Sequence, residues 1–206
     1  MRPISRISLF FALFCVAAGA KAQDRNDLGP LPPGQFDFYS LSLTWVPGFC
    51  SLHRDPAECG RGTGFALHGL WPESQDGYPT SCSSDPLPDD VRAASASLFA
   101  SPSLIDHEWD KHGTCTGLDA ASYMAKIAAV RQAVVVPASY ATASQLGPSD
   151  ADTIKIDFIA SNPGMTRDSL VLVCQKHRVS ELHICLTKDG AFRPCVGWEA
   201  AEDNCQ

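Results

Sequence analysis

Nine of the 206 residues are cysteines, and their placement restricts the possible fold more than any other feature. One, Cys15, sits in an apolar run from Ile7 to Ala20 that follows Arg2 and Arg6 and ends in Ala20-Lys21-Ala22. A charged start, a short apolar stretch and an A-x-A site make up a secretory leader. The run is too short, and too alanine-rich at its end, for a membrane span. Phe14 is not the small residue that lipoprotein processing needs before a cysteine. Residues 1–22 are therefore expected to be a signal peptide, cleaved after Ala22, with residues 23–206 forming one exported domain. The destination would be a periplasm, the medium or, in a eukaryote, a lysosome-like compartment. The eight remaining cysteines are Cys50, Cys59, Cys82, Cys115, Cys174, Cys185, Cys195 and Cys205. An even set in an exported chain reads as disulfides, although eight cysteines allow 105 pairings. The domain is long enough to bury a core of its own, so the bridges add to burial instead of replacing it.

Charge narrows the function. Without Arg2, Arg6 and Lys21 the 16 basic side chains fall to 13 against 23 acidic ones, a net charge of −10. A tight, sequence-independent nucleic-acid binder normally shows a basic face. An enzyme that meets a polyanion through a few local cations and releases it is not excluded. One stretch supplies such cations: His107-Glu108-Trp109-Asp110-Lys111-His112-Gly113-Thr114-Cys115. As a helix it sets His107, Glu108, Lys111 and His112 within about 140° of one face, and Gly113 stops it. That face holds proton donors and acceptors, a fixed cation and a carboxylate, the equipment of acid–base catalysis on an anion. Charges clustered on a helix are more often only a solvated face. The stretch is also close to the zinc motif H-E-x-x-H, but its histidines are five positions apart, which on a helix rotates them about 140° from each other. No metal is expected.

Upstream lies a second histidine motif. Phe36 to Val46 reads as a strand rich in Phe, Tyr, Leu and Trp, ended by Pro47-Gly48. A polar, turn-rich segment follows, with Cys59 closing a small loop and His53 a solvated loop residue. In Gly64-Phe65-Ala66-Leu67-His68-Gly69-Leu70-Trp71-Pro72-Glu73 an apolar strand delivers His68 at its end. Gly69 leaves room for close approach, and Trp71 offers a flat face to a ring.

Leu67-His68-Gly69-Leu70-Trp71-Pro72 and His107 to Cys115 together resemble the two active-site segments of the ribonuclease T2 family, secreted or lysosomal-type acid endoribonucleases with little base selectivity. Leu43-Thr44-Trp45-Val46-Pro47-Gly48-Phe49-Cys50 is similar to the entry strand of bacterial members, and the four C-terminal cysteines fit the family spacing. The resemblance implies an α+β fold, a central and mainly antiparallel sheet flanked by helices in one disulfide-stabilised domain. It implies cleavage of single-stranded RNA by its own 2′-OH, through 2′,3′-cyclic phosphates to 3′-phosphates, without metal or cofactor. His112 would be the base and His68 the acid of the first step. Lys111 and Glu108 would stabilise the phosphorane, His107 would bind the phosphate, and Trp71 would stack on a base. Glu73, Asp76 and Tyr78 occupy the stretch where some relatives carry base-contacting Asp and Tyr, though at a different spacing. The implied bridges are Cys50–Cys59, Cys82–Cys115, Cys174–Cys205 and Cys185–Cys195. RNA is the expected partner, met transiently by a monomer away from membranes. A non-catalytic binder of the same fold is the alternative; it would usually lack a catalytic histidine, and none is missing.

The remaining elements fit α+β. Helices are expected over Asp89 to Ala100, from Ser103 through the catalytic stretch, over Ala120 to Val136 capped by Asp119, and from Asp150 or Asp152 to about Asn162. Strands are expected over Ser169 to Gln175 and Val179 to Thr187, with Lys188-Asp189-Gly190 turning into a last strand, Ala191 to Val196. In the strand before that turn Leu182, Ile184 and Leu186 alternate with Glu181, His183 and Cys185, so one buried face is predicted. His183 is then structural, and His177 lies in an exposed turn.

Overall fold

The strand predicted over Phe36 to Val46 forms from Phe38 to Trp45, past the charged Asp37, and lies inside the sheet, in keeping with the unbroken apolar and hydroxyl-bearing sequence of that run. In a computed structural model of the protein, residues 26–205 are described except 55, 61, 145, 148 and 149, so the proposed leader lies outside the described residues. Strand β2 (Phe38–Trp45) is buried along all eight residues. It pairs antiparallel with β3 (Phe65–Glu73) on one side and β6 (Arg178–Leu186) on the other, and β6 pairs with β5 (Leu170–Gln175), giving the order β3-β2-β6-β5. Two short strands, β1 (Asp27–Gly29) and β4 (Tyr78–Pro79), pair separately. Fold class agrees with the expectation.

One face of the sheet carries Tyr39, Leu41, Leu43 and Trp45 of β2 with Leu182, Ile184 and Leu186 of β6. Helices cover it. α4 (Pro102–Lys111) contributes Ile105 and Trp109, α5 (Ala120–Ala133) contributes Tyr123, Met124 and Ile127, and α6 (Ala151–Ser161) contributes Ile154 and Phe158. Asp119 caps α5 as predicted, accepting a hydrogen bond from the Ser122 N–H at 2.8 Å. Short helices complete the chain: α1 (Val46–Leu52), α2 (Pro56–Cys59), α3 (Asp89–Ser95) and α7 (Gly197–Ala201).

Three expectations need correction. α3 stops at Ser95, short of Ala100, and the chain goes on in turns. Past Lys188-Asp189-Gly190 the return segment makes only an isolated bridge, Leu186 to Phe192, with Arg193 N–H reaching Cys185 O at 3.1 Å, and Pro194 beyond it has no N–H to continue a ladder. β6 is buried on both faces: His183 is 4% exposed and Cys185 fully buried. The cysteines pair as Cys50–Cys59, Cys82–Cys115, Cys174–Cys205 and Cys185–Cys195. Among the described residues no helix is long and apolar enough to cross a membrane.

Candidate active site

A slip of register positions the first histidine. Ser42 of β2 pairs with Gly69 but Leu43 pairs with Leu67, leaving His68 as an extra residue in β3. A bulge of this kind bends the strand and re-aims its side chains. Leu67 and Leu70, three apart, both enter the helix-covered core. His68, Trp71 and Glu73 instead reach the opposite face of the sheet, where Ser40, Ser42, Glu181 and His183 lie. His68 is thus inside the strand, not at its end as predicted.

The second histidine comes from α4. Ser101 caps this helix, its Oγ accepting from the Leu104 N–H at 3.3 Å, and Pro102 opens it. The helix ends at Lys111, and His112 is its C-cap, with φ −115° and ψ −46° and its N–H still donating to Glu108 O at 3.1 Å. Gly113 marks the stop for a packing reason, since a Cβ there would lie 2.5 Å from the Trp109 ring and 2.8 Å from Tyr123. Cys115 holds this end through its bridge to Cys82, assisted by Ser81 N–H to Lys111 O at 2.9 Å and Cys82 N–H to Thr114 Oγ1 at 3.2 Å.

Trp71 joins the two motifs. Its indole N–H donates to Glu108 Oε2 at 2.9 Å. The His112 ring stacks on it at 5.1 Å and 20°, and the rings of His68 and His183 meet it edge-on at 5.0 and 5.3 Å. Gly69 makes room for this junction: a Cβ there would sit 1.7 Å from Glu108 Oε2 and 2.6 Å from Trp71 Nε1. The room expected at Gly69 for close approach is filled by the protein's own carboxylate. His112 also covers Trp71, which was expected to present an open face. Beside it lies a cavity of about 230 Å³ lined by Trp71, Glu73, Tyr78, Lys111, His112 and Trp198, among others. The Lys111 Nζ lies 5.3 Å over the Tyr78 ring. Glu73 is fully buried, Tyr78 nearly so, and Asp76 is exposed. His53 and His177 are exposed, far in role from this cluster.

The two histidines are driven in opposite directions. Burial lowers His112 well below its ordinary value, reinforced by the charges of Lys111, His107 and His68. Burial would lower His68 too, but a 3.1 Å hydrogen bond from its Nδ1 to Glu181 and the charges of Glu181 and Glu108 raise it instead. Burial lifts the Glu108 carboxyl to about 7 against the pull of His68, Trp71 and Lys111. Burial and the neighbouring Glu199 push Glu73 well above the usual carboxylate range, further than His183, Trp198 and Lys111 can offset. His107, exposed, is lowered by partial burial and by Lys111.

Ligand-type atoms of His107, Glu108 and His112 lie within 4.8 Å of one another. The five-residue spacing seemed to keep the two histidines apart, yet both imidazoles reach the Glu108 carboxylate that lies between them. Glu108 in this trio already accepts from Trp71 and faces His68 Nε2 at 3.7 Å, so the three belong to the cluster of titratable groups around that indole. Glu181, His183, Glu199 and Trp198 were not anticipated at the site. The alternation that places Glu181 and His183 on one strand face was visible, and Cys185 on that same face, bound for a buried bridge, was the sign that it is not solvent.

A model of the Ribonuclease T2 family matches residues 36–195. The chain is 35% identical over 163 residues to a ribonuclease of Aeromonas hydrophila, covering 76% of this chain and 74% of that one. Among solved structures, ribonuclease MC1 from the seeds of bitter gourd superposes with a TM-score of 0.63 at 22% identity, over 79% of this chain and 95% of that one. RNase NT, solved in complex with 5′-AMP, superposes with a TM-score of 0.56 at 20% identity, over 78% and 90%.

Proposed function

We propose, from the premise that the chain belongs to the Ribonuclease T2 family and is an endoribonuclease of that type, that it cleaves single-stranded RNA by transfer to the 2′-oxygen. His112 takes the proton of the ribose 2′-OH, the 2′-oxygen bonds to phosphorus, and the bond from phosphorus to the 5′-oxygen breaks as His68 protonates the leaving oxygen. Water then opens the 2′,3′-cyclic phosphate with the two histidines in exchanged roles, leaving a 3′-phosphate.

The observation that carries this reading is the pair of imidazoles on one indole with opposed proton affinities. The step needs a neutral base and a protonated acid together. With His112 lowered and His68 raised, that combination is the prevailing one around the ordinary histidine value instead of a rare microstate. Activity should fall at low pH as His112 takes up a proton and at high pH as His68 loses one. Below about 7 Glu108 is a carboxylic acid able to donate to a phosphorane oxygen, while Lys111 supplies the fixed cation. His107, lowered, would hold the phosphate through a neutral N–H. The base would enter the cavity beside Trp71, against Tyr78 and Trp198, with the neutral Glu73 carboxyl offering both a donor and an acceptor.

The leader-like residues 1–22 and the four disulfides support export to an oxidising compartment. Incubating the purified mature protein with RNA and with DNA of the same sequence, in excess EDTA, tests the chemistry. RNA should be cut to 2′,3′-cyclic phosphates and DNA should survive. Cleavage of DNA, or loss of RNA cleavage in EDTA, overturns the metal-free mechanism and returns attention to the trio His107, Glu108 and His112.

A further inference from the structure

Behind His68 runs a row of hydrogen bonds through the polar face of the sheet. His68 Nδ1 meets Glu181 Oε1 at 3.1 Å, Glu181 Oε2 meets His183 Nε2 at 2.8 Å, His183 Nδ1 meets Glu199 Oε1 at 2.9 Å, and the Ser40 hydroxyl donates to the same Glu199 oxygen at 2.7 Å. Three strands and α7 contribute to it, and His183, Glu199 and Ser40 are buried. Its polarity can be worked out from the groups alone. An ionised carboxylate only accepts, so an imidazole between two carboxylates must donate from both nitrogens and be an imidazolium. Glu181, fixed in this way as an acceptor, requires His68 to donate from Nδ1.

We infer that Glu181, clamped by the His183–Glu199 pair, is the positioning residue of this active site, holding His68 in the single tautomer that leaves Nε2 to exchange protons with RNA. This inference rests on the ribonuclease mechanism proposed above and adds to it the residue that prepares its acid. The same anchored Nδ1–H serves both steps. After His68 gives up its Nε2 proton, the neutral ring keeps its Nδ1 proton on Glu181 and presents a lone pair at Nε2, which the return step with water needs. No ring flip or tautomer exchange intervenes.

Groups on every packed element act on the imidazole: Glu181 and His183 from β6, with Glu108, His107 and His112 from α4 and its end. Glu181 alone of these bonds Nδ1, and its own carboxyl is held low, against burial, by the bonds to His183 and His68. Glu181→Gln keeps an acceptor oxygen in place and removes the charge. It should lower kcat about 10²-fold with KM unchanged, and it should move the alkaline limb of the kcat/KM profile to lower pH. Glu181→Asp should restore that limb toward wild type. A Glu181→Gln enzyme whose alkaline limb stays in place, or whose loss lies in KM, overturns the inference. Histidine 15N NMR of the wild-type protein is independent of variant folding and of activity. It should show neutral His68 protonated at Nδ1, and a neutral ring protonated at Nε2 overturns the assignment. Absence of RNA cleavage with the Nδ1–H tautomer present would count against the mechanism and leave the anchoring intact.

Discussion

The two faces of the central sheet are both largely buried and behave as different materials. Toward the helices β2 presents Tyr39, Leu41, Leu43 and Trp45, and β6 presents Leu182, Ile184 and Leu186. On the other side the same strands present Ser40, Ser42, Thr44, Glu181 and His183, with Ser40 and Ser42 fully buried. An apolar cluster of Phe38, Val171, Val173, Cys185 and Cys195 closes part of that side. On the first face burial is itself the stabilising term, through apolar area and close packing. On the second it penalises charge, and the side chains respond by pairing or by shifting their proton affinity. Glu108, Glu73 and His112 shift, whereas Glu181 and His183 pair. Apolar packing is thus concentrated on one side of the sheet and titratable groups on the other.

Five substitutions would break or sharpen that contrast. The largest effect is expected from the histidines. His68→Phe or His112→Phe should lower kcat by about 10²–10⁴, because each is proposed to move a proton. His107→Phe should mainly raise KM, as loss of a group that holds ground and transition states alike does. If His107→Phe proves as inactive as the other two with KM unchanged, the division of roles is wrong. Next comes the apolar face. Leu182→Ala should cost about 2–5 kcal/mol in chemical denaturation while the folded fraction keeps its turnover. A large drop in turnover per folded molecule would show that the two faces are not separable.

The smallest effect is a slope. Glu108 titrates at about 7 in the folded protein against an ordinary 4.5, so folding binds a proton between those values. Its contribution to stability is therefore greatest below pH 4.5 and is lost as pH rises through about 7, to the extent of roughly 3 kcal/mol. Glu108→Gln should remove this component, so the stability difference between variant and wild type should grow in the variant's favour from pH 4.5 to 7.5. A difference that is flat across that range would mean the Glu108 carboxyl is not held up by its burial.

What the sequence showed and what it hid follow from distance along the chain. Each motif is local: His68, Gly69 and Trp71 span four positions, and His107 to His112 six, so spacing alone located them. The cap at Asp119 and the stop at Gly113 were readable for the same reason. Hidden were the contacts that close across long intervals, such as His68 to Glu181, 113 residues apart, and His183 to Glu199 on a helix following an irregular return. The alternation in β6 looked like a half-buried strand because alternation marks two chemically different faces and is silent on which of them is wet. The spacing of His107 and His112 misled about their proximity because it weighed only the directions of the two side chains around the helix and not their reach toward Glu108 between them.

The extra residue at His68 changes the strand's parity. Along β3 the residues that enter the apolar layer are Phe65 and Leu67, then Leu70: odd positions before the bulge and an even one after it. One added residue has the effect of a phase shift, re-addressing everything downstream to the other layer. Trp71 and Glu73 belong to the reactive side only because that shift occurs before them. Loops in this protein can gain or lose a residue and absorb the change locally. Within Ala66 to Leu70 the placing of that one residue decides both layers: strict alternation through an intact His68 would turn Leu70 out of the oily layer and Trp71 and Glu73 into it, whereas deleting His68 would leave each of them on its present side and remove only the imidazole.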